Sequence, residues 1–323
     1  MAEDISTILN KSFNAWRSNL LITAIYVLQG IVGGIVIIPF AIALVVAIVI
    51  LAGAGAVNIS DGDLSSLQSI SVFVIALIML FMILLFIILL LIGSFFTAGI
   101  IGMCKNSILT GKTTINDFIK YGKLYFKNTL GVNIISLIVT FAAVAFFAAV
   151  FIAIFILIGM FSGAELTTDA PTAGQMVILA FIFLMGLVAY ILIFFISQIM
   201  TFLVYGTALE EKSLTEGLKK AWEIVKNNSR TVLQLIAINA IFVIAVLLIN
   251  MGSEFLGVNN AILGIVFMIV QMVFGIIGIL FWEPFMIIAY NCCYINAAGI
   301  ESEQVQEKQQ YMQEEYMQEN QYM

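Results

Sequence analysis

The chain contains no histidine. Its absence excludes zinc sites of the His-Glu-x-x-His type and hydrolysis by a serine that leans on a histidine base. Charge is scarce too, with Asp, Glu, Lys and Arg making up 10% of the residues against roughly a quarter in soluble domains. The long apolar stretches hold no Asp, Lys or Arg, so paired intramembrane aspartates and serine-lysine dyads are also missing. No enzymatic activity, metal or other cofactor is expected. A net charge of −6, with the excess acid concentrated near the C-terminus, leaves no footprint for nucleic acid. The three cysteines, Cys104, Cys292 and Cys293, fall near the ends of apolar stretches and read as reduced thiols. Acylation of Cys292 or Cys293 is the alternative to simple packing.

Apolar residues dominate what remains, at 63% of the 323 positions. They form six stretches, at Leu20 to Val57, Ile70 to Met103, Thr129 to Met160, Met176 to Leu209, Val232 to Val258 and Ala261 to Ala297. Each exceeds the ~20 residues that span hydrocarbon. The lipid bilayer is therefore the main solvent and the fold class is all-α, a polytopic bundle of six spans. A helix of about 35 residues is ~50 Å long, so these spans must tilt, kink or protrude. The first stretch is also far longer than the ~7–15 residues of a signal-peptide core, so it should stay in the mature chain.

Charge placement orients the bundle. All thirteen Lys and Arg residues fall in four places. Lys11 and Arg17 precede the first stretch; Lys105, Lys112, Lys120, Lys123 and Lys127 separate the second from the third. Lys212, Lys219, Lys220, Lys226 and Arg230 separate the fourth from the fifth, and Lys308 lies in the tail. The other connections carry only acids: Asp61 and Asp63, then Glu165 and Asp169, then Glu254. Under the positive-inside rule both termini are cytoplasmic in a cell-membrane protein. Folding the first stretch back at Gly33-Gly34 and Pro39 would put a basic loop outside.

An internal repeat underlies this pattern. Offsets of 110 and 209 residues superpose the N-cap residues Asp4, Thr114 and Ser213. They also align Ile5, Ile115 and Leu214, then Trp16, Phe126 and Val225, then Arg17, Lys127 and Lys226. Thr114 with Asp117, and Ser213 with Glu216, have capping-box spacing. Each unit reads as an amphipathic interfacial helix followed by a transmembrane hairpin, with Trp16, Tyr125 and Trp222 as anchors at headgroup depth. The repeats cover about 4–109, 114–209 and 213–299, and an even number of spans per unit makes them parallel, unlike the inverted repeats of many transporters. A pseudo-threefold bundle is the natural packing.

The repeated helices, Asp4-Ile5-Ser6 through Ala15-Trp16-Arg17 and again Ala221-Trp222-Glu223, carry a resemblance. Over roughly Asp4 to Gly299 the chain resembles uncharacterised six-span prokaryotic membrane proteins, mainly archaeal. More distantly it is similar to the membrane domain of glycerophosphoryl diester phosphodiesterases. The resemblance implies a membrane domain and no catalytic residues, because the soluble phosphodiesterase domain is absent.

One ionisable group lies well inside a span, Glu283 in Phe281-Trp282-Glu283-Pro284-Phe285. Carboxylates at such depth are costly and commonly functional, and Pro284 frees the carbonyl of Leu280. Aligning the even-numbered spans brings Thr97, Ser197 and Gln198 to similar depth, so a small polar cluster on the bundle axis is expected. The alternative places Glu283 at the interface, with its carboxylate reaching water. Gln29, Asn133, Asn239, Asn250 and Gln271 read as interhelical hydrogen-bonding residues, and Gly99 and Gly102 as sites of close helix approach. Residues 300–323, with Tyr311-Met312-Gln313-Glu314 repeated as Tyr316-Met317-Gln318-Glu319, form an acidic, disordered tail. That tail is either inert or docks a cytoplasmic partner. Two functional classes remain open, a transport-related protein with an unknown small-molecule substrate and a scaffold that organises lipids or partner proteins.

Overall fold

A computed structural model describes residues 4–58, 64–162, 173–210, 213–257 and 261–300. The acidic connections with Asp61, Asp63, Glu165 and Asp169, the Asn259-Asn260 turn and the tail beyond Ile300 lie outside the described residues. In chain order the helices are α1 (Ile5–Ser18), α2 (Leu21–Asn58), α3 (Leu64–Thr110), α4 (Ile115–Ser162) and α5 (Ala173–Leu209). There follow α6 (Leu214–Asn227), α7 (Ser229–Gly257), α8 (Ala261–Ile277) and α9 (Glu283–Ala298), the last two fused through a π-helical turn, Gly278–Trp282. Six helices are long and apolar enough to cross a membrane. The protein is a multi-pass, all-α membrane protein.

Backbone polar groups cannot be left unpaired in hydrocarbon, which is why each apolar run closes into one helix. Pro39 lies inside α2, yet the helix runs unbroken from Leu21 to Asn58. With 47 and 48 residues, α3 and α4 are each about 70 Å long at ~1.5 Å per residue, and their ends project beyond the ~30 Å hydrocarbon layer. The second span of each hairpin packs on the other two, so α3, α5 and the α9 half of the last span form the centre. Around them α2 packs on α3, α4 lies against both α3 and α5, and α7 pairs with α8. The first helix lies on the last, α1 against α9 and α3, while α6 covers α5.

The short helices bury one register. Ile8, Ser12 and Ala15 are buried in α1, Phe118, Gly122 and Tyr125 in α4, and Gly217, Ala221 and Ile224 in α6. Offsets of 110 and 209 residues connect all three sets. The joints that follow differ. Asn19 ends α1 and Asn228 ends α6, each with its side-chain amide donating to the carbonyl four residues back, Ala15 and Ile224, at 3.0 Å in both cases. Asn19 also clamps the next turn, donating to Ser107 Oγ at 2.8 Å and the Gly111 carbonyl at 3.2 Å, and accepting the Thr113 N–H at 3.0 Å. Gly111 itself has φ +77°, a conformation that favours glycine.

At the equivalent position of the second copy stands Thr129, and there the chain departs from expectation. No separate interfacial helix precedes the third span, because α4 is continuous from Ile115 to Ser162. A threonine lacks the amide that caps the other two joints, so the helix simply continues, with the Thr129 hydroxyl buried and without a partner. The capping box forms only here: Thr114 N–H donates to Asp117 at 2.8 Å and Asp117 N–H to Thr114 Oγ1 at 3.3 Å. Asp4 and Ser213 start their helices from extended backbone without a side-chain cap bond; Asp4 instead accepts the Ser6 hydroxyl at 2.9 Å.

Glycine sets the closeness of the central packing. A Cβ on Gly99 would meet the ring of Phe118, one on Gly102 the Cβ of Tyr121, and one on Gly206 the ring of Tyr294. Small residues let helix backbones approach in this way where hydrophobic driving force between helices is weak.

Candidate functional site

Glu283 opens α9 directly after the π turn. Its N–H donates to the Gly278 carbonyl, and Pro284 has no N–H to give. Ile279 therefore loses both its α-type donor, residue 283, and its π-type donor, residue 284. The wide turn thus leaves the Ile279 carbonyl without either donor, next to Leu280, whose α-type donor is also Pro284.

The Glu283 side chain lines a recess of about 150 Å³. Its walls come from four helices: Tyr26 and Gln29 of α2, Thr97 and Ile100 of α3, Tyr205 of α5, and Ile287 of α9. That volume is well above the ~10–15 Å³ needed to admit one water. No Lys or Arg lines the recess. Among the described residues the Glu283 side chain makes no hydrogen bond or ion pair, and the residue is exposed while Pro284, Phe285 and Met286 beside it are buried. Four oxygen- or nitrogen-bearing side chains thus surround a carboxylate that has no protein countercharge. Such a set can hold a proton, water or a small cation.

Behind the recess runs a continuous chain of hydrogen bonds. Trp282 Nε1 donates to Asn239 Oδ1 at 2.9 Å, Asn239 Nδ2 donates to Gln198 Oε1 at 3.0 Å, and the Tyr290 hydroxyl donates to the same oxygen at 2.9 Å. The Trp282 ring also stacks on Phe242, with centroids 4.7 Å apart. The network fastens the π turn to α5, α7 and α9, which holds Glu283 to one azimuth. Tyr205 and Tyr290, with ring centroids 6.2 Å apart, join this network to the recess.

The expected cluster is therefore split. Thr97 and Glu283 share the recess, whereas Gln198 belongs to the network behind it. Ser197 is not among the recess-lining residues; its carbonyl accepts the Thr201 hydroxyl at 2.9 Å. From α5 the recess takes Tyr205 instead, about two turns further along that helix than Gln198. Tyr26 escaped sequence reasoning. Gln29, expected as an interhelical hydrogen-bonding residue, lines the recess because α2 packs on the π turn and on α9. Asn133, by contrast, donates to Ser94 at 2.9 Å, as an interhelical residue should. Gln271 is exposed and Asn250 Oδ1 is buried without a partner.

Of the three expected anchors, Tyr125 is 1% exposed and cannot reach headgroups. It stacks on Tyr121 and its hydroxyl accepts a hydrogen bond from Lys105, itself buried, at 3.4 Å. The inward register shared with Ala15 and Ile224 is what buries it. Trp16 is half-buried, donating to Thr23 Oγ1 at 3.1 Å and meeting Phe281 edge-on at 4.8 Å. It thereby buttresses the π turn from the α1 side. Trp222, 52% exposed, remains free to meet headgroups.

A family model described as a domain of unknown function, DUF7847, matches residues 83–285, more than half of the chain. The chain belongs to the DUF7847 family. No curated protein and no solved structure matches it. The DUF7847 match takes in Thr97, Gln198, Asn239, Trp282 and Glu283, while Tyr26, Gln29 and Tyr290 lie outside it.

Proposed function

We propose that this DUF7847 protein is a transport-related membrane protein in which the Glu283 recess accepts a proton or small cation. The observation that carries this reading is a carboxylate within a span, without protein partner, facing a polar recess that no Lys or Arg enters. Such groups in membrane helices characteristically mark ion or proton pathways. The reading includes a cell-membrane location with both termini cytoplasmic, supported by the confinement of all thirteen basic residues to the N-terminal segment, two connections and the tail. It includes no enzymatic step, supported by the lack of histidine and of a second carboxylate, lysine, arginine or cysteine in the recess. It also keeps the threefold repeat, supported by the shared buried register of α1, α4 and α6, and, from the repeated helices of the sequence alone, the likeness to archaeal six-span proteins and to phosphodiesterase membrane domains.

The test is flux in liposomes carrying purified protein, scanned over protons and monovalent cations. Wild type should conduct at least one of them, and Glu283→Gln should lower that flux at least about tenfold while the protein still elutes as a folded species. Equal flux in the two proteins would remove Glu283 from the mechanism.

A scaffold that organises lipids or a protein partner is the second reading. It is favoured by the closed packing at the basic end, where Phe202, Tyr205, Tyr290 and Tyr294 fill the centre. Absence of flux for every ion and metabolite tried would favour it.

A further inference from the structure

A second concavity lies on the lipid-facing side of α3, and its chemistry differs from that of the recess. This groove, of about 500 Å³, runs between α2, α3 and the start of α4. Leu91, Ile92, Phe95 and Phe96 of α3 form its floor, and Phe126 and Lys123 of α4 its upper wall. The floor is stiff. Phe95 packs edge-on to Phe118 at 5.6 Å and tilted against Phe126 at 6.5 Å, and Phe96 lies 5.3 Å from Phe118. Gly122 allows this, since a Cβ there would lie 2.9 Å from the Phe95 ring. Lys123 is exposed at the groove's mouth and forms no ion pair or hydrogen bond among the described residues. It projects from the amphipathic start of α4, where the basic stretch meets the apolar span.

We infer that this groove is a binding site for one anionic phospholipid, with the phosphate on Lys123 and an acyl chain along Phe96, Phe95, Ile92 and Leu91. Charge complementarity selects the headgroup: a single unpaired cation stands over an otherwise apolar lining. Geometry selects the chain. From residue 96 to residue 91 the floor descends about 7 Å at ~1.5 Å per residue, enough for the first half-dozen methylenes below a headgroup. A free phosphate would find the lysine but leave the floor empty, and a zwitterionic lipid would bring its own cation against Lys123. Adjacent residues of α3 therefore serve two ligands, Thr97 the recess and Phe96 the groove.

The experiment is native mass spectrometry of the full chain in detergent, titrated with phosphatidylglycerol, phosphatidylcholine or glycerol phosphate. Wild type should retain one phosphatidylglycerol in preference to phosphatidylcholine, and glycerol phosphate should not displace it. Lys123→Met, which keeps the aliphatic stem, should cut that preference about fivefold, the usual effect of one basic residue at an anionic membrane surface. Ile92→Trp should abolish retention by filling the floor while leaving the charge in place. Lys120→Met, on the same helix but outside the groove, should bind as wild type and shows that the fold tolerates loss of a lysine here. Equal retention of the two lipids by wild type, displacement by glycerol phosphate, or unchanged binding in both Lys123→Met and Ile92→Trp would overturn the assignment.

Discussion

The two ends of the bundle are built on different principles. At the basic end, Ile22, Ile101, Phe202, Leu235, Ile288 and Tyr294 are all under 2% exposed, and Asn19, Asn239 and Gln198 carry hydrogen bonds between helices. Glu210 shows the same habit, taking the Tyr294 hydroxyl at 2.8 Å and Lys220 at 2.7 Å. Towards the acidic end, no described residue between 26 and 93 is buried, and Ile83, Phe141, Ile241 and Met268 are each more than half exposed. One end is held by its own packing; the other leaves its side chains to lipid. The difference teaches where this protein can be altered. A residue at the basic end is fixed by several helices at once, whereas one in the outer half answers mainly to hydropathy.

Three substitutions sharpen that contrast. Gly102→Ala should do the most harm, because the new methyl coincides with the Cβ of Tyr121 and two helix backbones must separate. Overpacking of this kind costs about 1–3 kcal/mol, read as a lower midpoint for thermal unfolding in detergent. Asn239→Ala comes next. Loss of its two interhelical bonds should cost about 0.6–2 kcal/mol and loosen the π turn, seen as altered Trp282 fluorescence in a variant that retains Trp282 but lacks Trp16 and Trp222. Ile83→Ala in the outer half should shift stability by less than about 0.5 kcal/mol. If Ile83→Ala proved as damaging as Gly102→Ala, the outer half would have a packed partner and the contrast would fail.

The number of spans and the separation of basic from acidic connections were legible because hydropathy and charge act residue by residue. The inward register of the short helices was legible in principle, since offsets of 110 and 209 residues put Tyr125 beside Ala15 and Ile224. Reading Tyr125 as an anchor looked at its chemical type and missed its register. The unbroken α4 had a signal as well, in the single change from Asn19 and Asn228 to Thr129. Glu283 and Thr97 stood out by chemistry and depth. Their companionship with Tyr26 and Gln29 did not, because more than 250 residues separate these two from Glu283 and only helix packing unites them. The π turn was half visible: Pro284 announces a missing donor for Leu280, but that Ile279 also goes without depends on how wide the turn becomes.

That one wide turn also works like a slipped thread on a screw. A π turn arises by lodging one surplus residue in a regular helix, and each residue of an α-helix advances the azimuth by about 100°. The outward ridge of α8 is thus rotated out of line with α9, which dives into the centre as a nearly all-buried helix. Glu283 stands at the seam between a lipid-bathed shaft towards the acidic end and a protein-clad one towards the basic end. Its direction of view is set by the bookkeeping of a single amino acid.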